Sequence, residues 1–239
     1  MNISENASFF TTPLRDGALF GTNATFVSCL ASERKLSFCK GTHYVFVLEG
    51  TAYYNDVYPL SAGMYGCFTD GYLAGALDTL AVVVSNLNYN GLMQIGGRIE
   101  PTGRLRYIDG CSDTLLVPPV KKGDPCLNLL HFPTGIKQTM HTHPSMRIGV
   151  VARGYGVCHT PFGDTPLVPN QLFVIKPSNG RKEDGLDGKQ HEVGLHCFET
   201  HNREMQIIAY HPDSDWGATD EDHPMKNNTF IDGISARGQ

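Results

Sequence analysis

Two histidines separated by one residue constrain this chain more than any other feature of its sequence. His141-Thr-His143 precedes the β-branched run from Ile148 to Val151, which ends at Gly154-Tyr-Gly. Side chains alternate between the two faces of a strand, so we expect His141 and His143 to point the same way. Two imidazoles side by side on one face are the beginning of a metal site. Because nine of the ten histidines follow residue 130, we expect the chemistry in the second half.

Length and charge exclude several classes of protein. The chain has 239 residues, which is long enough for a hydrophobic core that needs no disulfide or metal cross-links. Its net charge of −5 gives no electrostatic reason to expect nucleic acid or an anionic membrane as a partner. No run reaches about 18 apolar residues, and no signal segment is evident, so we expect a cytoplasmic protein with no membrane partner. Seven widely spaced cysteines without a Cys-x-x-Cys pair predict reduced thiols.

Short runs of β-branched and aromatic residues, separated by glycine and proline, recur along the chain. This punctuation is typical of an all-β sandwich or barrel, and no long segment has helical periodicity. The clearest predicted strands are residues 44–48, 80–84, 148–151, 171–175 and 205–209.

The two halves of the chain resemble each other faintly. Each half has a strand that ends at a glycine, Gly50 or Gly154, followed about ten residues later by a Pro-Leu pair. The proline-rich polar stretch 117–125 lies between the halves and is the predicted boundary, or seam, between two domains. We therefore predict two β-domains, residues 1–120 and 121–239.

The second half resembles the cupin superfamily. The first cupin motif has a Gly, five residues, His-x-His, three or four residues, a Glu, six residues and a Gly. Gly135, His141-Thr-His143 and Gly154 fit that spacing throughout, but Arg147 stands where the Glu is usual. The resemblance implies an all-β chain of two tandem cupin barrels, which are jelly rolls of the double-stranded β-helix kind.

The second cupin motif, which supplies a further histidine, matches more loosely. Gly194-Leu-His196-Cys-Phe198 is similar to its end, so His141, His143 and His196 form the predicted metal set. His191 is a rival third ligand, because a polar loop at residues 178–190 leaves the register open. Gln138 is a weaker candidate for an extra ligand.

The N-terminal half lacks such a set. Counting back from Gly50 places Ser37 and Cys39 at the His-x-His positions and His43 at the Glu position. We interpret this half as a degenerate cupin that is structural, or that serves in dimerisation or as a lid.

Several other polar residues are candidates for the site. Arg147 shares the parity of His141 and His143, so it either grips a substrate carboxylate or pairs with an interior acid. Tyr155 is a candidate acid or hydrogen-bonding group, although strand tyrosines usually serve in packing. Glu192 and Glu199 are weaker candidates for a general base.

The resemblance implies a metal-dependent enzyme that acts on a small, polar or anionic molecule. Because the Glu is missing, the chain is similar to three-histidine cupin oxygenases, which favours a non-haem Fe(II) dioxygenase. A redox-neutral isomerase, lyase or hydrolase using Mn, Ni or Zn is the alternative, and a non-catalytic ligand-binding cupin is a third possibility. The resemblance to cupins also implies that the chain forms a homodimer.

Overall fold

The computed structural model describes residues 3–237, and within that range the regular structure is β-strand with two short 3₁₀ turns and no α-helix. The all-β prediction is confirmed. In the described residues no helix is long and apolar enough to cross a membrane. The two turns are Ile108–Gly110 and Lys226–Asn228.

The strands are short and follow one another closely along the chain. In the first part they are β1 (Ser4–Glu5), β2 (Phe9–Pro13), β3 (Gly17–Gly21), β4 (Thr25–Ala31), β5 (Lys35–Ser37), β6 (Thr42–Glu49), β7 (Thr51–Tyr54), β8 (Tyr58–Ser61), β9 (Tyr65–Phe68), β10 (Tyr72–Gly75), β11 (Leu80–Asn86) and β12 (Gln94–Gly96). In the second part they are β13 (Leu105–Arg106), β14 (Ser112–Val117), β15 (Cys126–Phe132), β16 (Arg147–Gly154), β17 (Gly156–Thr160), β18 (Gly163–Leu167), β19 (Gln171–Ile175), β20 (Lys182–Asp184), β21 (Gln190–Glu192), β22 (Cys197–Glu199), β23 (Met205–His211), β24 (Phe230–Ile231) and β25 (Ile234–Ser235).

The two halves share one strand order. A six-stranded sheet runs β12-β9-β6-β11-β4-β3, and an eight-stranded sheet runs β1-β2-β19-β16-β23-β15-β14-β13. Five consecutive strands of the two sheets correspond one to one, β9-β6-β11-β4-β3 in the first and β19-β16-β23-β15-β14 in the second. A smaller sheet accompanies each, β5-β10-β7-β8 in the first half and β18-β17-β22 in the second. The faint repeat in the sequence therefore has a counterpart in the topology.

Three hydrophobic cores lie between these sheets. The central strands contribute side chains to a core on each of their two faces. On β23, Ile208 and Tyr210 enter a core shared with Tyr44 and Phe46 of β6. The alternate residue Ile207 enters a second core with the three-stranded sheet, and a third core fills the space between the six-stranded and four-stranded sheets. Burial on both faces explains why these strands are continuous apolar runs rather than alternating ones.

Strand pairing does not follow the predicted division at residues 120 and 121. Strand β2 pairs with β19, so residues 9–13 complete the sheet of the second half. Strands β14 and β15 are hydrogen-bonded neighbours in that sheet, although the predicted seam lies between them. These strands satisfy their backbone hydrogen bonds by pairing within the second sheet, so the division of the sequence does not match the division into sheets.

Two glycines occupy equivalent corners of the halves. Gly50 and Gly154 have φ values of +65° and +74°, a left-handed conformation that favours glycine. A Cβ at Gly50 would lie 2.6 Å from the carbonyl oxygen of Asp78, and a Cβ at Gly154 would lie 1.8 Å from that of Glu204. Each glycine thus lets its strand end directly against the chain that enters the neighbouring strand.

We predict that Gly154→Ala destabilises the protein far more than Gly135→Ala. Gly135 has nearly the same φ, +72°, but a Cβ there would meet nothing within 4 Å. Gly135→Ala should therefore lower the free energy of unfolding by about 1 kcal/mol, the cost of the left-handed conformation. Gly154→Ala adds a backbone clash and should cost roughly 3 kcal/mol or more. Urea denaturation of both variants measures the difference, and equal losses would contradict it.

Candidate metal centre

The segment before β16 runs antiparallel to the segment that contains β22. The Gln138 amide donates to the Phe198 carbonyl at 2.9 Å, and the Thr200 amide donates to the Ile136 carbonyl at 2.8 Å. At the end of this pairing His141 and His196 lie directly opposite each other, and each amide donates to the other's carbonyl, at 2.9 and 3.0 Å. Residues opposite each other in an antiparallel pair project from the same face, so the two imidazoles meet.

His143 completes a cluster of three imidazoles. Ring centroids are 5.1 Å apart for His141 and His143, 4.5 Å for His141 and His196, and 5.3 Å for His143 and His196. One nitrogen from each ring lies within 4.8 Å of the other two. Among the described residues this is the one group of His, Cys, Asp or Glu with such a spacing. We call His141, His143 and His196 the triad.

The alternation of side chains along a strand predicted His141 and His143 on one strand, but the structure does not place them on one. His141 forms an isolated bridge, residues 142–146 are irregular, and β16 begins only at Arg147. The two rings nevertheless lie 5.1 Å apart between centroids, although the chain from residue 142 to residue 146 is irregular. The expectation that they lie together is correct, whereas its strand argument is wrong.

Backbone carbonyls fix the tautomers of two of the rings. Nδ1 of His141 lies 2.8 Å from the Thr139 carbonyl oxygen, and Nδ1 of His196 lies 2.8 Å from that of Gly194. A carbonyl only accepts, so each Nδ1 carries the proton and each Nε2 keeps its lone pair. Nε2 of His196 is buried with no hydrogen-bond partner, which is the state expected of an atom that binds a cation.

Burial keeps two rings of the triad, His143 and His196, neutral. Desolvation, followed by the charge of Arg147 and the proximity of His141, lowers the pKa of His143 to about 3. Desolvation, followed by His141, also lowers the pKa of His196 to about 3. Both rings are therefore unprotonated at pH 7, and an unprotonated imidazole is the form that ligates a metal. The donor set fits a divalent transition metal.

The triad lines a narrow cavity with a mostly apolar wall. About 30 Å³ is left for the centres of water-sized molecules, which is room for about two waters. A ligand much larger than a few atoms would require the cavity to open. The lining residues are Tyr107, Leu130, Phe132, Gln138, His141, His143, Arg147, Ile148, Gly149, Phe173, Ile175, His196, Phe198, Ala209 and His211.

Arg147 reaches the same cavity and is paired. Its Nη1 lies 3.1 Å from Oδ1 of Asp213 and donates to the Ser145 hydroxyl and the Met146 carbonyl. Its Nε is buried without a hydrogen-bond partner. The side chain is 12% exposed, against 45% for Asp213. Of the two predicted roles, the ion pair is therefore present, and it leaves one buried donor unused.

Two polar residues that line the cavity, His211 and Tyr107, were not predicted from the sequence. His211 ends β23, and burial, followed by the charge of Arg147, lowers its pKa to about 3. The parity of Ile207 and Ala209, which share a core, places His211 on the cavity side and was the available signal. Tyr107 comes from the connection before β14, and no sequence pattern indicated it.

Other candidates lie outside the cavity or are already engaged. Tyr155 is 45% exposed, and the Cζ atom of Arg203 lies over its ring at 5.1 Å from the centroid. His191 lies on the β20–β21 hairpin with Nε2 2.8 Å from Oδ1 of Asp187. The Gln138 side chain contacts Phe198 N and Cys111 Sγ instead of the triad.

The candidate bases Glu192 and Glu199, and His43 in the first half of the chain, also have hydrogen-bond or ion-pair partners. Glu199 pairs with Lys137 at 2.9 Å, and Glu192 accepts from the Ser178 hydroxyl. His43 uses both ring nitrogens, at 2.8 Å to the Ser85 hydroxyl and 2.9 Å to the Cys39 carbonyl. It lies in the first half away from the triad.

Comparison with known proteins gives a match only at the level of structure. No family model matches the chain, and no curated protein matches it. A Pseudomonas aeruginosa protein named as glyoxylate-induced is similar with a TM-score of 0.63 and 13% identity, over 92% of this chain and 94% of that one.

Two further solved structures are similar over most of the chain. A cupin 2 conserved barrel domain protein from Leptotrichia buccalis has a TM-score of 0.53 and 14% identity, over 87% of this chain and 90% of that one. A variant of the salicylate 1,2-dioxygenase from Pseudoaminobacter salicylatoxidans has a TM-score of 0.53 and 9% identity, over 86% of this chain and 72% of that one. The repeated strand order, the triad and these likenesses together assign the chain to the cupin fold.

Proposed function

We propose that the protein is a metal-dependent enzyme that acts on a small carboxylated molecule, and that it is a non-haem Fe(II) dioxygenase. The observation that carries the proposal is the unpartnered Nε2 of His196, which is buried beside two other imidazoles. Burying a polar atom without a partner is costly. A bound cation removes that cost.

The composition of the triad favours an anionic substrate. Three neutral imidazoles bring no negative charge, so a divalent ion among them keeps its full charge of +2. Held there, an Fe(II) ion supplies reducing electrons for O2 and open coordination positions. Arg147 adds a further positive charge at the cavity wall.

Arg147 is placed to hold the substrate. Its ion pair with Asp213 uses Nη1, so the buried Nε is left to donate to a carboxylate in the cavity. Hydrogen bonds between charged groups are the strong ones, and the planar guanidinium fixes the direction of the carboxylate. The same ion pair offsets the cost of burying the guanidinium before substrate binds.

The apolar wall has two further consequences. Phe132, Phe173 and Phe198 line the cavity and exclude bulk water, which strengthens electrostatic interactions inside it. The narrow volume restricts substrates to small molecules. His211, which burial keeps neutral, also lines the cavity and is available to hydrogen-bond with substrate.

The structural likeness to a salicylate 1,2-dioxygenase supports oxygen chemistry. The triad also supports a second candidate, because three histidines with an open position form a ligand set of catalytic zinc. A redox-neutral isomerase, lyase or hydrolase using Zn, Mn or Ni would use the same cavity. The identity of the resident metal separates the two candidates.

We predict that protein purified without added metal contains close to one equivalent of iron per chain. His141→Ala/His143→Ala should lose that metal, since it removes two of three ligands. His191→Ala is the matched control and should keep it, because His191 pairs with Asp187 outside the cavity. Plasma mass spectrometry measures the metal content.

The outcome of that measurement decides between the candidates. Stoichiometric Zn, Mn or Ni in the wild type would replace the dioxygenase by the redox-neutral enzyme. An absence of metal in the wild type, with none bound on reconstitution, would contradict both and leave a ligand-binding barrel.

We predict that Arg147→Gln raises the KM for a carboxylated substrate at least tenfold. Loss of a hydrogen bond between charged groups costs about 1.5–3 kcal/mol, and 1.4 kcal/mol corresponds to tenfold. Oxygen uptake by the iron-loaded protein, screened over small carboxylates, provides the assay.

Asp213→Asn is the control for Arg147→Gln. It removes the ion-pair partner but keeps the guanidinium, so its KM should stay within a few-fold of the wild type or fall. An unchanged KM in Arg147→Gln would assign Arg147 to structure alone.

A further inference from the structure

The backbone beside His141 is held by a residue from far upstream. Oδ2 of Asp109 accepts from the Thr139 amide at 2.6 Å, and Oδ1 lies 3.4 Å from the Thr139 hydroxyl. The carbonyl of the same Thr139 accepts from Nδ1 of His141 at 2.8 Å. A single carboxylate therefore anchors the residue whose carbonyl orients the ring.

Asp109 sits in a turn that is itself fixed. The Cys111 amide donates to the Ile108 carbonyl at 3.0 Å, and the Tyr107 amide donates to the Cys111 carbonyl at 2.9 Å. Asp109 has φ 54° and ψ 32°, a left-handed conformation that aspartate tolerates better than most residues but that still costs free energy. The ring of Tyr107 lines the cavity, so the turn touches the site at two places.

His196 has an equivalent support from the other end of the chain. The Gly194 carbonyl accepts from Nδ1 of His196 at 2.8 Å, and the Gly194 amide donates to the hydroxyl of Ser8 at 2.8 Å. Ser8 is fully buried. Gly194 has φ +84°, and a Cβ there would lie 2.5 Å from the Lys176 carbonyl oxygen, so the carbonyl orientation depends on this glycine and its Ser8 partner.

We propose that Asp109 and Ser8 are positioning residues of the metal centre, which set the rings of His141 and His196 through Thr139 and Gly194. The inference rests on the proposed function in one respect, that the triad binds a divalent metal. Both residues lie outside the segment 121–239 that carries the triad, so that segment alone lacks the supports of its own ligands.

The expected effect is a loss of metal affinity. Partners that orient a ligating imidazole typically contribute 10–100-fold to metal affinity, because they hold the ring in place before the metal arrives. Asp109 is exposed at the surface, where water competes for the Thr139 amide, so we expect the lower end of that range.

The test is titration of the metal-free full-length chain with Co²⁺, followed by the visible absorption of the bound ion. Asp109→Ala should weaken Co²⁺ binding about tenfold. Asp109→Gly should weaken it as much, although glycine relieves the left-handed conformation, because the carboxylate is lost in both. Asp109→Asn should bind within about threefold of the wild type, because its amide oxygen accepts from Thr139 and asparagine also tolerates this conformation.

Two further variants complete the set. Ser8→Ala should weaken Co²⁺ binding through His196 in the same way. Asp16→Ala is the matched control, because Asp16 also accepts a backbone amide, that of Ala31 at 3.1 Å, but in the first half of the chain. It should bind Co²⁺ like the wild type. Thermal unfolding of each metal-free variant reports its folding independently of metal.

The outcomes are separable. Wild-type Co²⁺ affinity in Asp109→Ala and Asp109→Gly would overturn the role of Asp109, and wild-type affinity in Ser8→Ala would overturn that of Ser8, with the proposed function intact. An equal loss in Asp16→Ala would also overturn the inference, because the effect would then be general destabilisation. No Co²⁺ binding by the wild type would overturn the inference together with the proposed metal enzyme.

Discussion

The reciprocal backbone hydrogen bonds between His141 and His196 are the constraint on which the site depends. They place the two imidazoles opposite each other through backbone contacts, so the position of these rings is determined by the fold. His143 needs only a short irregular loop to join them. Next to this pairing, β19, β16 and β23 are adjacent strands of one sheet whose apolar side chains are buried on both faces.

The sequence predicted the strands well because their burial is unusually complete. The five apolar runs chosen from the sequence all fall within β6, β11, β16, β19 and β23, and the glycines at their ends are where the left-handed turns occur. The topology was less accessible. The pairing of β2 with β19 joins residues far apart in the chain, and neither strand carries a sign of its partner.

The site was predictable where spacing within a short segment determines it. His141, His143 and His196 converge as expected, although the strand parity used to argue for it does not apply to an irregular loop. Tyr155, a candidate acid or hydrogen-bonding group, is instead 45% exposed and follows the left-handed Gly154 at the end of β16. Asp109 and Ser8 could not be found from the sequence, since their contribution passes through backbone groups and leaves no pattern of residue types.

The first half shows what a cupin-like sheet does without a triad. Its interior is filled by stacked rings, with Phe38 4.4 Å from His43 and Tyr54 4.0 Å from Phe68 between centroids. Both nitrogens of His43 are satisfied within the protein, so neither is left for a cation. One face of this half packs against the sheet of the second half in a shared core.

The pairing of β2 with β19 also has a consequence for synthesis of the protein. Thr11 and Leu172, which share a hydrogen bond between these strands, are 161 residues apart. At about 5–20 residues per second, translation takes on the order of ten to thirty seconds to deliver the partner. During that time the six-stranded sheet can form, because it does not include β2. During this time strand β2 of the nascent chain lacks its partner β19. The triad, and the contact of Ser8 with Gly194 beside it, can form only after the last strands of the second sheet have been synthesised.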